Sequence, residues 1–163
     1  MIDVTLEGVS EPYKPEATIQ ILHDCDDFGD FGIRSADNVV WASDGMIYIH
    51  EDKATRRNYF GGDTDRDAST WRINPDNPDD REVIATVDRS VILPAGAQDN
   101  QQQTLAAWEC CGRIGVSALF STDPGELLMI TAVQAHSVQG GALGNHRDLA
   151  QGGQLVMLSK KRG

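Results

Sequence analysis

The clearest fold signal in the sequence lies in residues 39–50, which read Val39-Val40-Trp41-Ala42-Ser43-Asp44-Gly45-Met46-Ile47-Tyr48-Ile49-His50. Two runs rich in β-branched and aromatic residues are separated by Ser-Asp-Gly, which is typical turn chemistry. Gly45 stands where a tight turn needs a positive φ angle, because glycine has no Cβ to clash there. This stretch therefore predicts a β-hairpin with arms at 39–42 and 46–50.

Further strands are predicted on both sides of the hairpin. Short apolar or alternating runs bounded by turn residues occur at 2–7, 18–23, 69–73, 82–87, 126–133 and 154–158. Segments 94–107 and 140–153 are predicted as loops, and residues 114–120 as a helical turn or a short strand. The four runs between residues 39 and 87 amount to one propeller blade, which is usually a four-stranded antiparallel sheet. We therefore expect a single all-β domain over residues 1–163.

The composition favours a folded chain with an acidic surface. The 163 residues include 25 acidic and 14 basic side chains, which gives a formal net charge of −11. Such a surface repels nucleic acid and anionic membranes, whereas carboxylates are ligands that divalent cations prefer. General solubility or adaptation to salt explains the charge at least as well. We therefore expect no nucleic-acid partner, and the charge alone does not establish a metal.

Cysteine usage and hydropathy narrow the protein class further. Cys25, Cys110 and Cys111 match neither a disulfide framework nor the C-x-x-C spacing of a structural zinc site. No apolar run is long enough to span a membrane. The N-terminus reads as a strand rather than as a signal peptide. A cytoplasmic protein and a piece of a longer exported chain both fit this pattern.

Four oxygen-bearing side chains flank the predicted hairpin. Asp37 and Asn38 precede one arm, and Glu51 and Asp52 follow the other. Antiparallel pairing brings these two ends together, so the four side chains meet at one edge of the sheet. Calcium takes six to eight oxygen ligands, and this corner can supply several of them. The alternative is that Asp37 and Asn38 cap a turn while Glu51 and Asp52 are solvated.

Five segments, taken in order, resemble the PhoX-type alkaline phosphatases and their bacterial relatives over residues 35–158. The first joins Ser35-Ala36-Asp37-Asn38-Val39-Val40-Trp41 to Asp44-Gly45-Met46-Ile47-Tyr48-Ile49-His50-Glu51-Asp52. The others are Ser69-Thr70-Trp71-Arg72-Ile73, Trp108-Glu109-Cys110-Cys111-Gly112 with Ser117-Ala118-Leu119-Phe120, Val133-Gln134-Ala135-His136-Ser137, and Gly152-Gly153-Gln154-Leu155. The ordered set carries the resemblance, since one segment alone would be a weak signal.

The resemblance implies a partial β-propeller of antiparallel four-stranded blades with long loops, with at most three or four blades. It also implies hydrolysis of phosphoric monoesters, bound calcium with iron in some members, and an extracellular or periplasmic enzyme. With the resemblance, Asp37 and Asp52 are favoured as metal ligands, and Asn38 and Glu51 join them as candidates. A partial propeller also leaves unpaired strand edges, which either associate into a homo-oligomer or need to be covered.

Three further residues are candidates for the chemistry. Arg89 is a candidate phosphate clamp, because a guanidinium binds phosphate through two parallel hydrogen bonds. The alternative for Arg89 is an ion pair with Asp88 or another nearby acid. His136 follows an apolar strand and can hydrogen-bond a phosphate oxygen or protonate a leaving group, although a histidine there is often structural. Glu109 is a candidate metal ligand or general base, and a solvated glutamate beside a core tryptophan is the alternative.

Three functions are consistent with these features. The first is a metal-dependent phosphomonoester hydrolase acting on a small phosphate ester. The second is a non-catalytic, calcium-binding β-propeller fragment. The third is another propeller hydrolase, an esterase or a lactonase, because related folds host several hydrolytic activities.

Overall fold

The computed structural model describes residues 2–7, 16–24, 32–52, 66–120, 123–124, 126–146, 148 and 151–160. Its elements are β1 (Ile2–Glu7), β2 (Glu16–Ile21), β3 (Ala36–Trp41), β4 (Ile47–Glu51), β5 (Ser69–Asn74), β6 (Asn77–Thr86), β7 (Ala97–Asp99), β8 (Trp108–Gly115), α1 (Ser117–Phe120), β9 (Leu127–Ala135), β10 (Val138–Gly140), α2 (Gly141–Gly144) and β11 (Gly152–Lys160). Every strand pair among them is antiparallel, so the all-β prediction is confirmed. Within the described ranges, no helix has the length and apolar character needed to cross a membrane.

The predicted hairpin is formed by β3 and β4. Val39 pairs with Ile49, and Trp41 pairs with Ile47. Gly45 has a φ angle of +82°, as the turn chemistry predicts. The hairpin continues into the first sheet, whose strand order is β3-β4-β5-β6. Strand β6 begins at Asn77, five residues before the predicted start, because the turn after β5 needs only Pro75 and Asp76.

The second sheet has the strand order β11-β9-β8. The predicted strands at 126–133 and 154–158 are confirmed within β9 and β11, and both observed strands are longer. Strand β8 covers a segment in which the sequence predicted structure only for residues 114–120. The segments predicted as loops contribute the short pair β7–β10 and the single helical turn α2. Paired backbone therefore extends into stretches whose composition is typical of loops.

The two sheets pack face to face. Tyr48 of the first sheet forms a buried cluster with Leu127 and Met129 of the second sheet. The opposite face of the first sheet packs Ile47, Ile49, Trp71 and Ile73 against Leu22 and Ile33. Both faces of β4 are covered, and its five residues are all buried. This explains the nearly continuous apolar run that marked the hairpin in the sequence.

The two sheets are stacked so that each edge strand of one lies beside an edge strand of the other. Strand β3 lies beside β8 at one edge, where Asn38 Oδ1 accepts a hydrogen bond from Gly112 N at 2.8 Å. At the other edge, Lys160 Nζ of β11 lies 3.0 Å from Glu82 Oε1 of β6. Stacked antiparallel sheets of this kind occur between propeller blades. Closure of a propeller stays a prediction.

Candidate functional site

The hairpin corner comes together in the backbone as predicted. Ala36 pairs with Glu51, and the register then shifts at a bulge that contains Asp37 and Asn38. The backbone N–H of Asp52 donates to Ser35 O at 3.0 Å. The side chains diverge, however, since Asp37 is exposed while Glu51 is 0% exposed. A bulge re-aims the residues it contains, and here it separates the predicted ligands.

Glu51 lies inside the first sheet as an acceptor for five hydrogen bonds. Its Oε1 accepts from Arg34 N at 2.9 Å, Trp71 Nε1 at 2.8 Å and Arg66 Nη2 at 3.3 Å. Its Oε2 accepts from Ser69 N at 3.0 Å and Arg34 Nη2 at 3.4 Å. A carboxylate offers about four lone-pair sites, so these donors saturate it. Glu51 is neither solvated nor turned toward Asp37.

Asn38 and Asp37 form the exposed part of the corner. The Asn38 amide Nδ2 donates to Asp37 Oδ2, while its Oδ1 accepts from Gly112 N. Gly112 lies in a bulge of β8 with a φ angle of +48°, which favours glycine. Asn38 therefore links the edge strands of the two sheets.

The residues of this corner do not by themselves fit a calcium or iron centre. Calcium needs six to eight oxygens, and Glu51 is already saturated by protein donors. In the part of the chain that the structure describes, no three His, Cys, Asp or Glu side chains form a group able to hold a metal ion. Metal binding through Asp37, Asn38 and Asp52 stays a prediction, and the geometry of Glu51 counts against its membership.

Arg89 is a structural ion-pair residue in this arrangement. Its Nε and Nη2 donate to Asp99 Oδ2 at 3.1 and 2.7 Å, and Nη1 lies 3.3 Å from Asp67 Oδ1. The carbonyls of Thr104 and Gln101 accept two further bonds at 2.6 and 2.7 Å. A guanidinium has five N–H donors, and all five therefore have partners. The ion-pair alternative agrees with this geometry, with Asp99 and Asp67 as the acids in place of Asp88.

Glu109 and His136 are brought together by the second sheet. Glu109 of β8 pairs with Gln134 of β9, and His136 follows two residues later on the same side of the chain. His136 Nε2 lies 2.6 Å from Glu109 Oε1. Glu109 is buried and His136 is half-buried, so the pair sits at the boundary with solvent. Two of the three predicted catalytic residues thus form a hydrogen-bonded dyad.

The geometry of the dyad orients the imidazole. An ionised carboxylate can only accept, so Nε2–H of His136 donates to Glu109 and Nδ1 is left as the basic nitrogen. The described residues place no hydrogen-bond partner on Nδ1. A carboxylate that fixes the tautomer and stabilises the imidazolium is one arrangement that supports general acid–base catalysis.

Cys111 and Gln134 complete the polar surroundings of the dyad. The Cys111 thiol donates to Gln134 Oε1 at 2.9 Å and lies 3.7 Å from Glu109 Oε1. Burial, followed by the charge of Glu109, raises the pKa of the Cys111 thiol to about 12. Cys111 is therefore a protonated donor, and a nucleophilic thiolate is disfavoured at this position. The alternation of Glu109 and Cys111 along β8 is the sequence signal that places both on one face.

No protein-family model matches the chain. No curated protein and no solved structure matches it significantly either.

Proposed function

We propose that the chain hydrolyses phosphoric monoesters, with the Glu109–His136 dyad as its proton-transfer element. The observation that carries the proposal is the 2.6 Å contact between His136 Nε2 and Glu109 Oε1 at the solvent boundary. The resemblance to PhoX-type phosphatases over residues 35–158 supplies the substrate class. The face-to-face stacking of two antiparallel sheets supports the propeller architecture that this resemblance implies.

The proposed role of the dyad is to move one proton. Nδ1 of His136 takes a proton from water, and the resulting hydroxide oxygen forms a bond to phosphorus. The ester P–O bond breaks, and the imidazolium returns its proton to the leaving alcohol. Glu109 holds the ring and stabilises its charged form. The family resemblance also implies calcium or iron, for which Asp37, Asn38 and Asp52 are the remaining candidate ligands. Such an ion would supply Lewis-acid chemistry, and no step of the proton transfer runs through it.

The first experiment compares variants of the two histidines that lie near the surface. His136→Gln is expected to lower kcat on p-nitrophenyl phosphate by about 100-fold or more, the usual contribution of general acid–base catalysis. The matched control is His146→Gln, because His146 is exposed and lies outside the dyad. Equal activity of His136→Gln and the wild type would rule out the proposed role.

The second experiment tests the reaction class and the metal. Bis(p-nitrophenyl) phosphate and p-nitrophenyl acetate are assayed beside the monoester, and metal content is measured by mass spectrometry before and after chelation. A phosphatase of the proposed class prefers the monoester, loses activity with chelator and recovers with calcium or iron. Preference for the acetate would instead identify an esterase.

A non-catalytic β module is the second candidate, and a specific observation favours it. Glu51 and Arg89, two predicted functional residues, use their side chains for internal hydrogen bonds. This second hypothesis predicts that the chain hydrolyses no ester. It also predicts that calcium raises the melting temperature by binding to the folded state.

A further inference from the structure

A layer of polar side chains lies between the two sheets. It comprises His50, Thr70, Arg113 and Thr131, all of them buried. The layer is held by bonds that cross from one sheet to the other. Arg113 Nη2 of β8 donates to Thr70 Oγ1 of β5 at 3.2 Å, and Thr131 Oγ1 of β9 lies 3.4 Å from His50 Nε2 of β4.

Burial, followed by the charge of Arg113, lowers the pKa of His50 to about 4, so its imidazole is neutral. The Thr70 hydroxyl accepts from Arg113, because a guanidinium only donates; since neutral His50 carries its proton on Nε2, its Nδ1 accepts from the same hydroxyl, 2.8 Å away. The proton of His50 then lies on Nε2 and faces Thr131, whose hydroxyl donates to Gly112 O at 2.9 Å. The four side chains therefore contribute one formal charge, that of Arg113.

Arg113 is a buried cation for which the described residues provide no carboxylate. It is 9% exposed, and no described residue accepts a hydrogen bond from its Nε. Its other contacts are Met129 Sδ at 3.5 Å from Nη1 and the Tyr48 ring, whose centroid lies 5.3 Å from Cζ. By comparison, Arg89 pairs with two aspartates. Arg113 is the one described arginine without a carboxylate partner. A buried charge without a counter-charge is costly in free energy.

We propose that Arg113 binds a small oxyanion, of which inorganic phosphate is the representative, between the two sheets. The guanidinium fork matches an oxyanion in geometry, and Arg113 has unspent N–H donors including Nε. Arg113 pairs with Thr131 in the register, whereas Glu109 pairs with Gln134 three residues further along β9. Because strand side chains alternate, the two lie on opposite faces of the sheet. The site is therefore separate from the dyad, and the inference does not depend on catalysis.

The test measures phosphate binding by calorimetry and by melting temperature in a buffer free of phosphate and sulfate. The wild type is expected to melt at a higher temperature with rising phosphate or sulfate, and to respond less to chloride at equal ionic strength. Arg113→Met is expected to bind phosphate at least tenfold more weakly. Without phosphate it should melt at or above the wild-type temperature, because an uncompensated buried cation is removed. Arg81→Met, at an edge strand, is the matched control and keeps the phosphate response.

Two further variants make the outcome decisive. Arg113→Lys keeps the charge but not the bidentate guanidinium geometry, so a phosphate affinity between those of the wild type and Arg113→Met is expected. The same variant replaces Arg113→Met in the test if Arg113→Met fails to fold. His146→Gln, at an exposed residue outside both the dyad and the Arg113 layer, is expected to leave phosphate binding intact. A wild type insensitive to phosphate would overturn the proposal. So would equal affinity in Arg113→Met, or a response confined to chloride.

Discussion

Replacing Glu51 by glutamine tests whether this residue stabilises the fold or holds a metal. The side chain keeps its shape, but one acceptor oxygen becomes an NH2 donor. In either amide orientation, that donor faces N–H groups that donate to Glu51 in the wild type: Ser69 N and Arg34 Nη2 on one side, or Arg34 N, Trp71 Nε1 and Arg66 Nη2 on the other. The Arg34 charge, 2% exposed, also loses its ion pair with Glu51.

The expected loss follows from this geometry. Breaking a buried ion pair by removing one partner costs about 3–5 kcal/mol of unfolding free energy. A domain of this size typically has about 5–15 kcal/mol in total, so much of its stability depends on this one carboxylate. The melting temperature should fall by roughly 10 °C, since about 1 kcal/mol corresponds to about 2–4 °C for domains of 150–250 residues.

The assay is urea unfolding followed by circular dichroism, with chelator and again with calcium. Asp37→Asn is the control in chelator, because Asp37 is exposed in the same corner, and its change there should stay within about 0.5 kcal/mol. A Glu51→Gln loss that is the same in chelator and calcium supports the structural role. If the variant lost less than about 1 kcal/mol in chelator and instead lost calcium binding, the reasoning from the five hydrogen bonds would be wrong.

Two further outcomes depend on shifted pKa values. Burial, followed by the charge of Arg113, lowers the pKa of His50 to about 4. Between pH 4 and about 6.5, His50 is therefore protonated in the unfolded chain but not in the folded chain. The contribution of His50 to the free energy of unfolding is therefore fully present above pH 6.5 and declines as the pH falls toward 4, by at most about 3 kcal/mol. His50→Gln should flatten this part of the pH profile in urea titrations. An unchanged slope would contradict the assignment. In a Cys110→Ser background, Cys111 should react with iodoacetamide at pH 8 roughly a thousandfold more slowly than a free thiol, because its pKa is raised to about 12. Glu109→Gln should accelerate that alkylation, measured by mass spectrometry, and a rate equal to that of a free thiol would show that the thiol is not shielded as described.

Local patterns were sufficient to predict the hairpin and most of the strands. Gly45 and its flanking apolar arms involve neighbours within a few residues, and the conformational preferences of such short stretches are set locally. The strand ends were less predictable. Asn77 and Pro78 have turn-forming composition, yet they lie in β6 because an edge strand tolerates proline and a two-residue turn closes the hairpin.

The roles of the polar side chains were decided by tertiary packing. Glu51 and Glu109 are both acidic residues in strands, yet one accepts five internal hydrogen bonds and the other meets His136, 27 positions away. Arg89 and Arg113 also look alike in sequence, but among the residues that the structure describes only Arg89 has carboxylates folded against it. Backbone propensity depends on adjacent residues, whereas the environment of a charge depends on which distant strands pack around it. The sequence could therefore predict β-structure and candidate residues, and only the packed sheets determined which candidates are held inside the fold and which pair lies near solvent.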